Sequence, residues 1–197
     1  MKIALIRHGL TEWNALGRVQ GTVDTELSAV GRAQMALLRP PDGFEKARAF
    51  VSPKKRARQT AALLGLASAV IDERLREQNW GIWEGLTRAE MAARYGAGCF
   101  DKAGIGIRFR PPGGEASFEM MARVKDFLLD VGKGANDAVA VAHMGVLRTA
   151  YALATGWDMV GTAPELDLKT ALVLRVTDAV ITVAALNVPL GRKAEAV

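Results

Sequence analysis

Only two histidines occur in the chain, and each closes a short apolar run: Leu5-Ile6-Arg7-His8-Gly9 and Val139-Ala140-Val141-Ala142-His143-Met144-Gly145. Runs of this kind are the pattern of strands buried on both faces of a parallel sheet. In open α/β sheets, ligands bind in the crevice outside the carboxyl ends of the strands, which places both imidazoles where such a fold does chemistry. An imidazole there can serve as nucleophile, proton carrier or anion-binding donor. Either histidine alone reads as a satisfied core or surface residue. As the sole pair, each at a strand end and near glycine, they read as parts of one site.

Cations accompany them. Arg7 follows four apolar residues and has no neighbouring acid, while Lys54, Lys55, Arg56 and Arg58 crowd the start of an expected helix. Positive side chains oppose the positive end of a helix dipole, at roughly 0.3–1 kcal/mol each, unless an anion is bound there. For Lys54, Lys55 and Arg58 a solvated basic face is the simpler reading. Glu84, between Trp83 and Gly85, is a carboxyl candidate for acid–base work.

The elements that must hold these groups follow from apolar periodicity and capping signals. Ile3–Ile6, Ala47–Val51, residues near Ala69–Ile71 and Asp137–Ala142 are predicted strands. Ser28 is placed to cap a helix reaching Arg39 before Pro40-Pro41. Ser52 is placed to cap a second, with Pro53 in its first position, that buries Ala57, Ala61 and Leu64 and stops at Gly65. Thr87-Arg88-Ala89-Glu90 is a capping box for a short helix closed by Gly96. Met121, Val124, Leu128 and Val131 recur at helical spacing, and another helix is expected from about Gly145 to Thr155. Leu168–Val176 and Val180–Leu186 read as a terminal hairpin, with Arg192–Val197 expected to fray. Residues 96–114 hold six glycines and two prolines without a period, an excursion off the core. The alternation of strand and helix makes the fold α/β with a largely parallel sheet. No repeat or linker divides the chain, so residues 1–197 are expected to form one domain with a substrate-side excursion at about 80–116.

Composition narrows the function classes. At 197 residues, 50% hydrophobic and 24% charged, the chain is an ordinary globular sequence, not a disordered one. A single cysteine, Cys99, rules out an intramolecular disulfide framework and a cysteine-based zinc site. No stretch approaches the roughly 20 apolar residues of a membrane span, and Ile3–Ile6 is too short for a signal-peptide core of about 7–15, so a cytoplasmic protein is expected. The net charge of +5 favours anions, but aromatics are 6% of the chain and none interleaves with Lys54–Arg58, which argues against nucleic acid.

Arg7-His8-Gly9, Thr11-Glu12-Trp13-Asn14 and Arg18-Val19-Gln20-Gly21, with Asp24, Leu27 and Gly31, resemble the opening of the histidine phosphatase superfamily. That superfamily holds cofactor-dependent phosphoglycerate mutases and broad-specificity phosphatases. Ser52–Ala61 resembles its second arginine segment and Leu75–Gly85 its acid segment. Pro111–Glu115 and Ala142–Val146 resemble the last two. The match runs from Lys2 to about Thr155. It implies a three-layer α/β/α sandwich and a metal-independent phosphomonoesterase that uses no cofactor and acts on a small organic phosphate. His8 is implied as the nucleophile that becomes a phosphohistidine, Arg7 and Arg56 as the phosphate clamp, and His143 as the second phosphate-binding imidazole. Glu77 is implied as the general acid, preferred over Glu84 by motif position. Asn14, the Gln20-Gly21 backbone and the Met144 amide complete the cradle.

The implied roles carry electrostatic demands. His8 must be neutral to attack, and arginine cations lower its pKa; Glu77 must be protonated to donate, which burial or a phosphate dianion brings about. Ala142 and Met144 stand where the family often has Thr or Ser and Gly, and Leu10 is expected to make the pocket wall more apolar. Trp80 and Trp83 are expected on the substrate side. Arg108 and Arg110 would point the same way in an extended segment and could hold a second acidic group, with solvated loop charges the simpler reading. The alternatives are a phosphoglycerate mutase, for which the chain is short and lacks an adjacent arginine pair, and a phosphate-binding homologue without turnover. A metal held by the two histidines and carboxylates is disfavoured, because the arginines repel a cation. An exposed edge of the terminal hairpin is a candidate homodimer surface.

Overall fold

The computed structural model describes residues 1–102 and 104–193. In chain order the elements are β1 (Lys2–Arg7), α1 (Glu12–Ala15), α2 (Ala29–Ala36), β2 (Leu38–Arg39), β3 (Arg48–Val51), α3 (Lys55–Leu63), β4 (Val70–Ile71), α4 (Arg88–Tyr95) and α5 (Cys99–Lys102). They continue with α6 (Ser117–Gly132), β5 (Ala138–Ala142), α7 (Met144–Thr155), β6 (Thr170–Thr177), β7 (Val180–Pro189) and β8 (Gly191–Arg192). The main sheet has the order β4-β3-β5-β1-β6-β7. Its first four strands run parallel, and the terminal hairpin adds two antiparallel strands beside β1.

The continuous apolar run of β5 has a direct cause: both faces of the sheet are covered. Ala138, Ala140 and Ala142 face a core built with Val124, Phe127 and Leu128 of α6 and Leu147 of α7. Val139 and Val141 face the opposite core, with Met35 of α2 and Ala57 and Ala61 of α3. Helices on both faces give the three layers. The stripe of α6 is Met120, Val124, Phe127, Leu128 and Val131, so Met120 and not Met121 heads it. That set keeps the i, i+4, i+7, i+8, i+11 rows of one helix face, which Met121 leaves by one residue.

Other expectations are corrected. The helix capped by Ser28 ends at Ala36, because Leu38-Arg39 pair antiparallel with Gly191-Arg192. Arg192 is therefore held in a strand; residues 194–197 of the segment expected to fray lie outside the described residues. Helix α3 begins at Lys55 with Lys54 as its cap, and Ser52 is not the capping residue. The Ser52 hydroxyl is committed elsewhere, as described below.

The excursion has a small core of its own, formed by Trp83, Leu86, Met91 and Cys99. Trp83 lies 4.9 Å from Phe100 and Phe100 stacks on Phe109 at 6.0 Å, so Trp83 is a core residue and not a substrate-facing one. The excursion returns to the body through Ile107 N–H, which donates to Asp158 O at 3.0 Å. Among the described residues no helix is long and apolar enough to cross a membrane.

Candidate active site

Parallel pairing brings the two histidines together. Arg7 is in register with Ala142, and the His8 N–H donates to Ala142 O at 3.0 Å, so the chain leaves β1 and β5 side by side. The imidazole centroids are 5.2 Å apart and inclined at 60°.

The His8 ring has a defined tautomer, assigned from its partner. His8 Nδ1 lies 2.7 Å from Gly9 O, and a carbonyl only accepts, so Nδ1 carries the proton and Nε2 keeps its lone pair. Burial, reinforced by Arg56 and Arg7, holds the His8 pKa down at about 3. Burial is the larger cause and the cations the smaller one. His143 Nε2 is 2.7 Å from Ser52 Oγ, which also accepts from Lys54 N–H at 3.3 Å. The Ser52 hydroxyl can give its proton to Nε2 or accept one from it, and His143 Nδ1 is buried without a partner. Burial, with Arg56 and His8, pushes the His143 pKa well below the usual imidazole value.

Arg56 is completely buried, its two terminal nitrogens donating to Val23 O at 3.0 Å and Gly21 O at 2.9 Å. The loop that supplies those carbonyls is pinned by Glu84, which accepts from Thr22 N–H at 2.7 Å and Val23 N–H at 2.8 Å. Glu84 thus anchors the Arg56 loop, and Gly21 holds Arg56 from behind. A Cβ on Gly21 would strike the Glu84 carboxylate and the Gln78 carbonyl. Burial lowers the pKa of Arg7 and of Arg56, with Glu77 acting in the other direction.

Glu77 is buried against the start of α7: it accepts from Gln78 N–H at 2.9 Å and from Gly145 N–H at 3.2 Å. Burial raises its pKa, outweighing those hydrogen bonds and the positive field of Arg56 and Arg123. Its segment is buttressed by Arg123, which donates to Arg74 O and Arg76 O, both at 2.7 Å, and pairs with Glu115 at 2.7 Å. A Cβ at position 145 would collide with the Glu77 carboxylate. Gly145→Ala is therefore expected to displace Glu77 and lower kcat by about 10²-fold, the scale of a 1 Å misplacement, with circular dichroism unchanged.

Arg7, His8, Glu77, Asn14, Gln20 and Met144 face a cavity of about 510 Å³. Arg56 and His143 stand behind its wall, both at 0% exposure. Six buried side-chain polar atoms among the described residues lack a partner, and four belong to this centre: Arg7 Nε, Arg56 Nε, His143 Nδ1 and Thr149 Oγ. The two guanidinium Nε–H groups can only donate. Unpaired buried donors cost roughly 1–3 kcal/mol each, so such a cluster calls for an acceptor.

The remaining residues sort as follows. Asn14 Oδ1 is held by Thr11 N–H at 3.1 Å and Thr11 O–H at 3.0 Å, while Gln20 Nε2 donates to Thr11 Oγ and Thr25 Oγ. Met144 opens α7 with His143 as the residue before it, so its amide lies at a helix N-terminus. Trp80 lines the cavity; Leu10 does not, and its carbonyl instead accepts from Ser28 N–H. Arg110 pairs with Glu119 at 2.7 Å, and of the Arg108–Arg110 stretch only Phe109 reaches the cavity wall. Arg58 is exposed, consistent with a solvated face. Ser52, Arg148 and Thr149 were not singled out as site residues from sequence. The last two sit three and four residues after Gly145, a helical spacing that could have revealed them.

Both lowered imidazole pKa values make a stability prediction. In the unfolded chain the histidines take up protons near pH 6.5, whereas the folded protein resists until about pH 3 for His8. Their contribution is fully present above pH 6.5 and is lost as the pH falls. Each histidine should lower stability by about 1.4 kcal/mol per pH unit below that point. Urea unfolding between pH 6.5 and 5 should show a slope that His8→Asn halves, and imidazole proton resonances should not titrate across that range. Ordinary titration of both rings would contradict the buried neutral pair.

Comparison with known proteins adds the following. The family model described as the histidine phosphatase superfamily (branch 1) matches residues 3–189. A glucosyl-3-phosphoglycerate phosphatase of Mycobacterium tuberculosis is 32% identical over 166 residues, covering 74% of this chain and 71% of the relative. A metal-independent phosphoserine phosphatase of Arabidopsis thaliana is 33% identical over 163 residues, covering 76% and 67%. The solved structure of Bacillus stearothermophilus YhfR matches with a TM-score of 0.80 at 27% identity, over 93% of this chain and 95% of that one.

Proposed function

The chain belongs to branch 1 of the histidine phosphatase superfamily, and we propose that it is a metal-independent phosphomonoesterase that hydrolyses a small organic phosphate through a phosphohistidine on His8. The observation that carries the reading is the cluster of unpartnered buried nitrogens on Arg7, Arg56 and His143 beside the free Nε2 of His8. A phosphoryl group offers only acceptor oxygens, which suit the Arg7 N–H groups on the cavity wall and, immediately behind it, Arg56 and the Nδ1–H tautomer of His143.

In the first step His8 Nε2 attacks phosphorus, the N–P bond forms and the P–O bond to the leaving alcohol breaks. Glu77 gives its proton to the departing oxygen. In the second step a water oxygen attacks phosphorus, the N–P bond breaks, and the water proton returns to Glu77. Arg7, Arg56 and His143 Nδ1–H meet the charge on the non-bridging oxygens; they are held in place beforehand and need no reorganisation. Ser52, giving its proton to His143 Nε2, keeps that ring in the donating tautomer. The amide of Met144 and the side chains of Asn14 and Gln20 complete the cradle, with Gly21 acting through Arg56.

The names of the relatives support a phosphatase of small carbon phosphates. We read residues 1–197 as one domain with its excursion at about 80–116, located in the cytoplasm, with a homodimer through the β7 edge to be tested by light scattering. The deciding experiment is hydrolysis of p-nitrophenyl phosphate in excess EDTA. Steady release of phosphate supports the reading. No turnover of any phosphomonoester means a binding protein, and conversion of 3-phosphoglycerate to 2-phosphoglycerate with 2,3-bisphosphoglycerate present means a mutase.

A further inference from the structure

We propose that Glu115 and Arg123 are positioning residues for the general acid: their ion pair clamps the backbone on both sides of Glu77 and fixes its carboxyl at the leaving-group end of the site. The inference rests on the phosphatase reading for the role of Glu77 and goes beyond it in naming what sets that role.

The segment Pro111-Pro112-Gly113-Gly114-Glu115 has no part in the phosphate cradle, and none of its residues lines the cavity. It runs instead along the segment that carries Glu77. Glu115 N–H donates to Asn79 O at 2.9 Å, Gln78 Nε2 donates to Glu115 O at 2.9 Å, and Ile82 N–H donates to Pro112 O at 3.1 Å. The two backbones are so close that a Cβ on Gly114 would strike Asn79 O. The Glu115 carboxylate accepts from Arg76 Nη2 at 3.1 Å and from Asn79 N–H at 3.4 Å.

Arg123 completes the clamp from α6. Its Nε and Nη2 donate to the two carboxylate oxygens of Glu115 at 2.7 and 2.8 Å, while Nη1 donates to Arg74 O and Arg76 O, both at 2.7 Å. Every guanidinium nitrogen is used, a geometry that a lysine ammonium cannot copy. Residues 74, 76, 78 and 79 are thereby tied to the pair, and the Glu77 carboxylate among them meets Gly145 N–H at 3.2 Å. The pair is nearly buried, with 10% of the Arg123 side chain and 9% of that of Glu115 exposed. A buried ion pair gives little net stability, because desolvation offsets the attraction. What this one supplies is placement of the acid.

The charges give a readout that support of the fold alone would not move. Burial raises the Glu77 pKa, opposed by the hydrogen bonds from Gln78 and Gly145 and then by the charges of Arg56 and Arg123. The charged groups around Glu77 are Arg7 on β1, Arg56 on α3, Arg123 on α6 and, one turn beyond Gly145 on α7, the exposed Arg148. His8 and His143 stay neutral beside them. The Glu115 carboxylate, in contact with Arg123, offsets one of these positive charges. Glu115→Gln therefore leaves the Arg123 charge uncompensated and favours ionised Glu77, whereas Arg123→Gln removes that charge and favours the protonated acid.

The test measures kcat/KM across pH for an alkyl phosphate, whose leaving group needs the acid, and for p-nitrophenyl phosphate, whose leaving group does not. Both variants should lower the alkyl-to-nitrophenyl ratio by roughly 10- to 100-fold, the scale of a misplaced catalytic group. The high-pH limb of the alkyl profile should move down by about one unit in Glu115→Gln and up by about one unit in Arg123→Gln. Arg123→Lys keeps the charge and loses the fork, so the ratio should fall while the limb stays in place; it also carries the test if Arg123→Gln fails to fold. A ratio within about threefold of wild type in the folded variants, equal losses for both substrates, or limb shifts of the same sign would overturn the proposal. Carbon-13 NMR of carboxyl-labelled glutamate, with the Glu77 resonance assigned by its absence in Glu77→Gln, follows the same opposed shifts without turnover. Opposed shifts there in a protein that hydrolyses neither substrate would keep the clamp on Glu77 and discard the phosphatase. Hydrolysis of both substrates with an unchanged ratio in the variants would do the reverse.

Discussion

His8→Ala is expected to lower kcat for p-nitrophenyl phosphate by at least about 10⁴-fold, because removal of a covalent nucleophile leaves only the binding contributions of the site. Phosphomonoester hydrolysis is among the slowest uncatalysed reactions, so there is little background to mask the loss. The substitution leaves the backbone pairing of residue 8 with Ala142 O in place. A folded but inactive protein is therefore the expected product. The intermediate offers a second readout. A phosphohistidine survives alkali and is lost in acid, so wild type quenched in alkali during turnover should retain label from a radioactive phosphoester, and His8→Ala should retain none. Turnover within tenfold of wild type, or label that persists in the variant, would place the nucleophile elsewhere.

Glu77→Gln should divide substrates by leaving group. An alkoxide must be protonated as it departs, and loss of the acid should cost roughly 10²–10⁴-fold with alkyl phosphates. A nitrophenolate departs without a proton, so p-nitrophenyl phosphate should lose far less in the phosphorylation step. Burial raises the Glu77 pKa, and only the protonated form donates. Activity toward alkyl phosphates should therefore fall as the pH rises through that pKa, and this limb should vanish in Glu77→Gln. Stability follows the same sign. The unfolded chain releases the Glu77 proton before the folded one does, so wild type loses stability as the pH rises across that window. Gln, of similar shape and uncharged, avoids that loss, and thermal melts should show the variant gaining on wild type as the pH increases. Equal losses for both leaving groups would argue against general-acid catalysis by Glu77.

The sequence by itself determined the architecture and singled out the two histidines that the parallel pairing of β1 and β5 sets side by side. The apolar runs ending at His8 and His143 carry their own reason, since a strand covered on both faces must be apolar throughout, and ligands bind where such strands end. Capping signals located Ser28 and Thr87-Glu90 correctly because they act within a few residues.

What the tertiary structure alone decided are contacts between residues far apart in the chain. Ser52 satisfied every local rule for a helix cap, yet a ring 91 positions away takes its hydroxyl. Glu84 and Glu77 are chemically equivalent in sequence; one is fixed by loop amides around Thr22, the other is buried at the α7 terminus with its pKa raised. Leu38-Arg39 left the predicted helix because residues near the far end of the chain supplied a strand partner. Burial, the chief cause of the neutral state of His8, is likewise set by the sum of distant neighbours, and no local spacing encodes it.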